Sequence, residues 1–395
     1  MSKSFKAPLS LVIILGSLTA FGALSMDMYL PALPIVATDL HTTTSLAQLS
    51  LTACLIGMAS GQLIFGPLSD RIGRRKPLFF TLLIFVVASI LCALSQSIWM
   101  LIVMRFIQGA SGAAGAVIAR AAARDLYSGR ELTKFIALLS LVNGAAPILA
   151  PIVGGFILQF TTWHTVFYIL AGIGLAVFTA VVFRLEETLL EEKRATGGPL
   201  QTVKTFRNLV KDRYFMQLAL AQALLMTAMF AYIAGSPFVL QNVYHLSPQA
   251  FSLCFAANGI GIIMMAQVTG KLSERFTELT LLKYSVMQAG IGACILLLAI
   301  LVNTHVAVVL IGLFFIVSAV GMVSTTTFSL AMQAQGKNAG SASALLGLLP
   351  FVGGGIASPL VGLMGDANAL PMAIVILFCT LLAVGNSFLI KAPAY

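Results

Sequence analysis

The sequence predicts an all-α, polytopic membrane protein with twelve transmembrane helices in two pseudo-symmetric six-helix bundles. Of its 395 residues, 59% are hydrophobic and only 9% are charged, whereas ordinary globular proteins carry about 25% charged residues. Its apolar runs repeatedly reach the ~20 residues that a helix needs to cross a bilayer. Because backbone in hydrocarbon must satisfy its own hydrogen bonds, each run is expected to be a helix.

Hydropathy predicts six spans in each half of the chain. In the first half they are expected near residues 9–37, 46–68, 77–95, 98–119, 135–158 and 164–183. In the second half they are expected near residues 214–241, 249–270, 280–302, 305–330, 339–364 and 369–390. An even number of spans puts both termini on the same side of the membrane.

The positions of lysine and arginine test this count independently. With twelve spans, every basic residue except Arg105 falls on one side, in a loop or terminus or, for Lys283, at the first turn of a span, and all four histidines fall on the opposite side. The positive-inside rule makes the basic side, and therefore both termini, cytoplasmic. The net charge of +10 then reflects basic loops facing anionic lipid, so nucleic-acid binding is not expected.

Cysteine and histidine give no sign of catalytic chemistry. The five cysteines fall inside predicted spans without a CxxC pair or metal-ligand spacing, which is typical of small hydrophobic residues. The histidines occur singly, and the sequence contains no HExxH or GxSxG pattern and no paired-carboxylate site. We therefore expect neither an enzyme nor a metal or cofactor site.

A change in composition divides the chain. Residues 184–213 contain seven basic and five acidic residues, and apolar residues recur at helical spacing after Pro199, which predicts a short amphipathic helix on the cytoplasmic surface. The predicted domains are a six-helix bundle over 1–184, a linker over 185–212 and a second bundle over 213–395. Residues 270–275 echo residues 66–71 at the equivalent place in the second half, which indicates duplication.

Five segments of the sequence carry a resemblance to a known family: residues 27–34, 66–76, 105–109, 143–155 and 338–344. Their sequences and order resemble the motifs of the major facilitator superfamily, and within it the bicyclomycin/chloramphenicol-resistance (Bcr/CflA) branch of drug:proton antiporters. The resemblance covers essentially the whole chain. It implies alternating access between two six-helix bundles, driven by the proton motive force without a cofactor.

Asp27 and Arg105 are the only charges predicted within the hydrocarbon. A charge there costs several kcal/mol, so such residues usually face a cavity or each other. At ~1.5 Å per residue the two lie at similar depths, roughly 15 and 12 Å from the outer ends of their spans. Three interpretations stay open. The two charges form a static buried ion pair, or Asp27 merely lies near the interface because the first helix ends early, or the two are a proton-coupling pair in which Asp27 carries the proton, because arginine stays protonated.

The expected substrate-binding residues are charged, polar or amphipathic positions within the spans. Each polar position is equally compatible with a hydrogen bond between helices. The set is Asp27, Tyr29, Arg105, Gln108, Asn143, Tyr232 and Asn258.

A third set is expected to control conformation. In the fifth span, prolines remove backbone donors and glycines allow close packing, and the resemblance assigns this segment to sealing and rocking. The resemblance also makes residues 66–76 a latch in which Asp70 meets the eleventh span or basic residues such as Arg120, while a simple basic tether to lipid is the alternative. The set is Gly66, Asp70, Arg71, Gly73, Arg74, Arg120, Pro147, Pro151, Gly154 and Gly155.

Together these features predict a proton-coupled antiporter that exports small amphipathic drugs such as bicyclomycin- or chloramphenicol-like compounds. The first span has no second carboxylate and spans seven to twelve have none, so neutral or singly charged cargo is expected. The alternative is a proton-coupled transporter of a small metabolite such as an amino acid, with drug export secondary. We expect a monomer in the bacterial cytoplasmic membrane, with cargo, protons and lipid as its partners.

Overall fold

The computed structural model describes residues 9–127, 129–194, 207–335, 339–365 and 368–390. Within these ranges the regular secondary structure is helical, and no residue lies in a strand. Eleven helical spans are long and apolar enough to cross a membrane, and a shorter apolar segment, Gly144–Phe160, lies within a further helix. The prediction of an all-α, polytopic protein is confirmed.

One compact unit comprises Met1–Thr42 and Leu49–Thr196. Within it, α1 packs against α5, α6 and α7, and α4 packs against α5 and α7, so α1 lies in the middle of the unit. The centre is apolar, and the rings of Phe21 and Phe85 pack 4.7 Å apart. Its helices are α1 (Leu9–Asp27), α2 (Leu33–Asp39), α3 (Thr44–Ile72), α4 (Arg75–Ala93), α5 (Ile98–Leu126), α6 (Gly129–Phe160) and α7 (Trp163–Arg184).

The second unit comprises Thr43–Gln48 and Gly197–Tyr395. Its helices are α8 (Arg213–Phe238), α9 (Pro248–Leu272), α10 (Glu278–Leu301), α11 (Val306–Ala334), α12 (Ala339–Val361) and α13 (Leu370–Leu389). A π-helical turn, Val239–Val243, follows α8. Here α8 packs against α11, α12 and α13, while α10 packs against α11 and α13.

Side-chain caps fix where several helices begin. Ser97 accepts a hydrogen bond from the Met100 amide at the start of α5, and Ser247 accepts one from Ala250 at the start of α9. Asp212 does the same for Phe215 at the start of α8. Each cap satisfies a backbone donor that the first turn of the helix leaves open.

The first predicted span is not one continuous helix. It was expected over residues 9–37, but α1 ends at Asp27, a 3₁₀ turn covers Leu30–Ala32, and α2 continues from Leu33 to Asp39. The cause is a pair of prolines, Pro31 and Pro34, which lack the amide donors that a continuous helix would use. The break places backbone groups directly beside Asp27.

The predicted charged loop over residues 66–76 is largely helical. α3 continues through Ile72, and α4 begins at Arg75, which leaves a turn of only Gly73 and Arg74. The predicted amphipathic helix after Pro199 lies largely outside the described residues. Residues 207–211 are helical, and Leu209 there is buried in the core of the second unit.

Candidate functional site

Asp27 is the last residue of α1 and is 6% exposed. The chain leaves α-helical geometry immediately after it, and Tyr29 directly precedes the 3₁₀ turn Leu30–Ala32. Gly154 of α6 packs against this break so closely that a Cβ atom there would overlap the Met28 carbonyl oxygen. The break in the first span, with α6 packed on it, therefore positions the buried carboxylate.

Arg105 projects from α5 and is completely buried. Its Nη1 donates to the Ser25 carbonyl oxygen at 2.7 Å and to Oε1 of Gln108 at 2.6 Å. Gln108 in turn donates from Nε2 to the Ser89 hydroxyl at 2.8 Å. This chain of hydrogen bonds ties α1, α5 and α4 together at one level.

The edge of the Arg105 guanidinium that is formed by Nε and Nη2 makes no hydrogen bond within the described residues. The ion pairs of the described residues are Arg74–Asp70, Arg74–Asp125 and Arg194–Glu191, so Arg105 and Asp27 form none. Arg105 nevertheless lies close enough to act on Asp27 electrostatically. The two charges share one buried region without making a direct ion pair.

Two aromatic rings pack on the Arg105 guanidinium. Its Cζ lies 5.0 Å from the ring centroid of Tyr29 and 5.6 Å from that of Phe167 on α7. The centroids of the Tyr29 and Phe167 rings are 5.2 Å apart, and the Tyr29 hydroxyl shares a hydrogen bond with the Ser50 hydroxyl at 3.2 Å. Cation–π contacts of this kind stabilise a desolvated cation by about 2 kcal/mol. Sequence reasoning selected Tyr29 but missed Phe167, which has the composition of an ordinary packing residue.

The remaining candidates in the fifth span lie along α6. Pro147 and Pro151 are both inside this helix, 32 residues long. Gly154 and Gly155 follow one turn later, with Gly154 against the break in the first span. The Asn143 side chain lies outside the described residues.

Two predicted site residues of the second unit contact each other. The Asn258 amide of α9 donates to the Tyr232 hydroxyl of α8 at 2.9 Å, and both side chains are buried. The Tyr232 ring stacks on Phe255 with centroids 5.6 Å apart. This pair is neutral, in contrast to the charges of the first unit.

The turn between α3 and α4 is organised by Arg74, whose side chain is 6% exposed. Its guanidinium donates to Asp70 and to the Ser69 hydroxyl, and its Nε donates to Asp125 Oδ2 at 2.8 Å. Burial alone would lower the pKa of Arg74, but the hydrogen bonds and charges of Asp125 and Asp70 outweigh it and raise that pKa. Arg74 is therefore a permanent cation between two carboxylates.

Arg71 and Arg120, which the sequence placed with this group, lie outside the network. Asp70 pairs with Arg74 one helical turn away rather than with Arg120, whose Nε donates to the Ala116 carbonyl oxygen of its own helix. Arg71 is exposed at the end of α3, and Gly66 lies within that helix, one turn before Asp70. Asp70 lies in the last turn of α3 and Arg74 in the short turn that follows, which brings the two side chains together.

Glu187, just beyond α7, completes the turn and was not predicted. Its carboxylate accepts hydrogen bonds from the Arg74 amide at 2.7 Å and the Arg75 amide at 3.1 Å, at the start of α4. Gly73 has a φ of +98°, and a Cβ there would overlap the Glu187 carboxylate. A carboxylate at a helix N-terminus is favoured by the open amides and by the helix dipole.

Comparisons with known proteins agree with this architecture. The sequence profile of the Major Facilitator Superfamily matches residues 15–359. A Bacillus subtilis (strain 168) protein named "Uncharacterized MFS-type transporter YdgK" is 45% identical over 95% of this chain and 93% of its own. The "Bicyclomycin resistance protein homolog" of Haemophilus influenzae is 28% identical over 96% of this chain and 95% of its own.

A solved structure supports the fold independently of sequence. A bacterial homologue of the human lysosomal transporter Spinster, in an inward-facing and occupied conformation, superimposes with a TM-score of 0.76. The match covers 97% of this chain and 98% of that one at 15% identity. Similarity at that identity establishes shared architecture and leaves the cargo open.

Proposed function

Because this chain belongs to the major facilitator superfamily, we propose that it exports small amphipathic drugs across the cytoplasmic membrane in exchange for protons. The chain is a multi-pass membrane transporter and not an enzyme. The finer proposal is efflux of bicyclomycin- or chloramphenicol-like compounds by alternating access, from a monomer with both termini in the cytoplasm. The relative named for bicyclomycin resistance supports the class of cargo.

The observation that carries this proposal is the buried carboxylate of Asp27 close to, but not paired with, the buried cation of Arg105. A carboxylate that is already locked in an ion pair resists protonation, whereas one that is only influenced by a nearby cation can gain or lose a proton as its surroundings change. Each elementary charge moved through 100 mV is worth about 2.3 kcal/mol. One carboxylate is therefore sufficient to couple proton entry to export.

In the proposed cycle, drug binds while Asp27 is ionised, and protonation of Asp27 from outside accompanies drug release. Arg105 keeps its charge throughout and adjusts the proton affinity of Asp27 as the surrounding helices move. The neutral pair Tyr232 and Asn258 offers hydrogen bonds without a second charge. This composition favours neutral or singly charged cargo.

The test is proton flux in liposomes that contain the purified full-length protein. With chloramphenicol as the probe, drug movement against its gradient should depend on an imposed pH gradient, and Asp27→Asn should abolish that dependence. Glu274→Gln, which neutralises an exposed carboxylate of the second unit, serves as the matched control and should leave it intact. Full proton-dependent export by Asp27→Asn would show that the coupling residue lies elsewhere.

A further inference from the structure

A continuous set of contacts leads from Trp163, the first residue of α7, to Arg105. At that end the Trp163 indole N–H donates to Asp39 Oδ2 at 2.8 Å, and Trp163 is 1% exposed. One turn along α7, the Phe167 ring stands edge-on to Trp163 with centroids 6.0 Å apart. Phe167 in turn packs on Tyr29 and on the Arg105 guanidinium.

These contacts fasten the broken first span at two places. Asp39 ends α2, beyond the break, and its bond to Trp163 ties α2 to α7. Tyr29 lies in the break itself, and its ring contact with Phe167 is the second tie. Because the prolines of this segment remove helical hydrogen bonds, α2 depends on such side-chain contacts for its position relative to α7.

The same contacts constrain the Arg105 guanidinium. Its Nη1 is held by Ser25 and Gln108, and two aromatic rings pack around the group. The edge formed by Nε and Nη2 matches a carboxylate, since its two N–H groups are parallel. Within the described residues that edge nevertheless has no hydrogen-bond partner, Asp27 included, which is consistent with a restraint that keeps the two groups apart.

We propose that Phe167 is a positioning residue which, anchored through Trp163 and Asp39, holds Arg105 out of a direct ion pair with Asp27. This inference rests on the proposed role of Asp27 as the proton carrier. Without the ring of Phe167, the guanidinium turns its free edge to the carboxylate, and the ion pair that forms favours the ionised state of Asp27. Protonation of Asp27 then requires a lower pH.

The other titratable groups that face this pair are neutral. Within the described residues, the groups that interact electrostatically with Asp27 or Arg105 are Tyr29, Cys54 of α3 and Cys92 of α4. The described side chains of α6 and α7 that can carry a charge are Glu131, His164 and Arg184, and the His164 ring stacks on Trp163 with centroids 3.8 Å apart. Because burial also acts on Asp27, a change in Phe167→Leu is attributed to Arg105 only where Trp163→Phe, which leaves the Phe167 ring in place, shifts the midpoint in the same direction.

The experiment follows the infrared band of protonated Asp27 in the reconstituted full-length protein as pH is varied, identified by its loss in Asp27→Asn. In Phe167→Leu the midpoint should fall by about one pH unit, the lower end of the effect of a cation brought within about 4–6 Å. Phe178→Leu, which removes another ring of the same helix from the apolar core, is the matched control and should leave the midpoint unchanged. An unchanged midpoint in Phe167→Leu would overturn the inference.

A second variant decides the matter if Phe167→Leu does not fold. Trp163→Phe keeps a ring but loses the N–H that Asp39 accepts, and it should lower the midpoint by less than Phe167→Leu does. No shift would again overturn the inference. The proposed function is tested separately, on the wild-type protein. If wild type shows no Asp27 band that responds to pH, or no proton-driven movement of chloramphenicol, then the proposed role of Asp27 as proton carrier is wrong, whatever the variants show.

Discussion

The segment Gly66–Arg71 of the first unit and its echo Gly270–Arg275 in the second share glycine, leucine, serine, an acid and arginine in register, yet only the first is built into a network. In the first unit, Arg74 lies between two carboxylates and Glu187 caps the following helix. In the second unit Glu274 and Arg275 are exposed, and neither forms an ion pair within the described residues. The difference arises from partners outside the repeated hexapeptide, namely Arg74, Asp125 and Glu187.

The membrane-embedded parts of the two units also differ in charge. The first unit buries Asp27 and Arg105, whereas a buried polar contact of the second unit joins the neutral side chains of Tyr232 and Asn258. Placing a charge in hydrocarbon costs free energy. Burying charges in only one unit confines that free-energy cost to the region of Asp27 and Arg105. This difference supports the proposal that proton coupling belongs to the first unit, with neutral recognition or packing in the second.

The largest difference in stability between the two units is expected when Arg74→Met is compared with Arg275→Met. Removing Arg74 leaves Asp125, whose side chain is 15% exposed, without its cation, whereas Asp70, 49% exposed, is screened by solvent. The free energy of unfolding should therefore fall by about 3 kcal/mol, the lower end of the range for buried pairs that lose one partner. Arg275→Met removes an exposed side chain and should change it by less than about 0.5 kcal/mol. Chemical unfolding of purified protein in detergent measures both.

The pH dependence of this contribution follows from the raised pKa of Arg74. A cation whose folded-state pKa exceeds the unfolded value contributes stability that is fully present below the unfolded pKa and is lost as pH rises through the folded one. For arginine that window lies at strongly alkaline pH, so the difference between Arg74→Met and wild type should be constant between pH 7 and 9. A difference that vanishes in that range would show that Arg74 is not the source of the stability.

An intermediate effect is expected from the glycines that flank the two segments. Gly73→Ala forces a side chain onto a residue with φ of +98° and into the Glu187 carboxylate, so it should cost about 1–3 kcal/mol. Gly270→Ala lies inside α9 with open space around it and should be neutral or stabilise by up to about 1 kcal/mol. Thermal unfolding of the two variants should show a lower midpoint temperature for Gly73→Ala and an unchanged or higher one for Gly270→Ala. Equal destabilisation of both would refute the geometry described for Gly73.

The sequence was most informative where a residue type is rare in its surroundings. Asp27 and Arg105 stand out because other charges are absent from the interiors of the predicted spans, and the structure brings both into one region of the first unit. Asp70 and Arg74 were both selected from the sequence, but their contact depends on the turn at Gly73 between α3 and α4.

Other residues could not be found from the sequence because their partners lie far along the chain. Phe167 and Trp163 have the composition of packing residues, and Trp163 meets Asp39 across 124 positions. Glu187 is one of five acidic residues in a charged stretch, and only the folded chain shows that it caps α4. The break after Asp27 follows from Pro31 and Pro34, although hydropathy alone predicted an unbroken span.

The smallest effect is expected in the neutral site of the second unit. Tyr232→Phe keeps the ring stacked on Phe255 but removes the hydroxyl that Asn258 contacts, which should cost about 1 kcal/mol of stability because hydrogen bonds inside membrane proteins contribute only modestly. If this unit contributes no charge to coupling, the variant should retain its pH-gradient dependence and change only the concentration of chloramphenicol that half-saturates transport. Loss of proton coupling in Tyr232→Phe would contradict the division of roles, because a neutral hydrogen bond would then be shown to govern the chemistry assigned to Asp27.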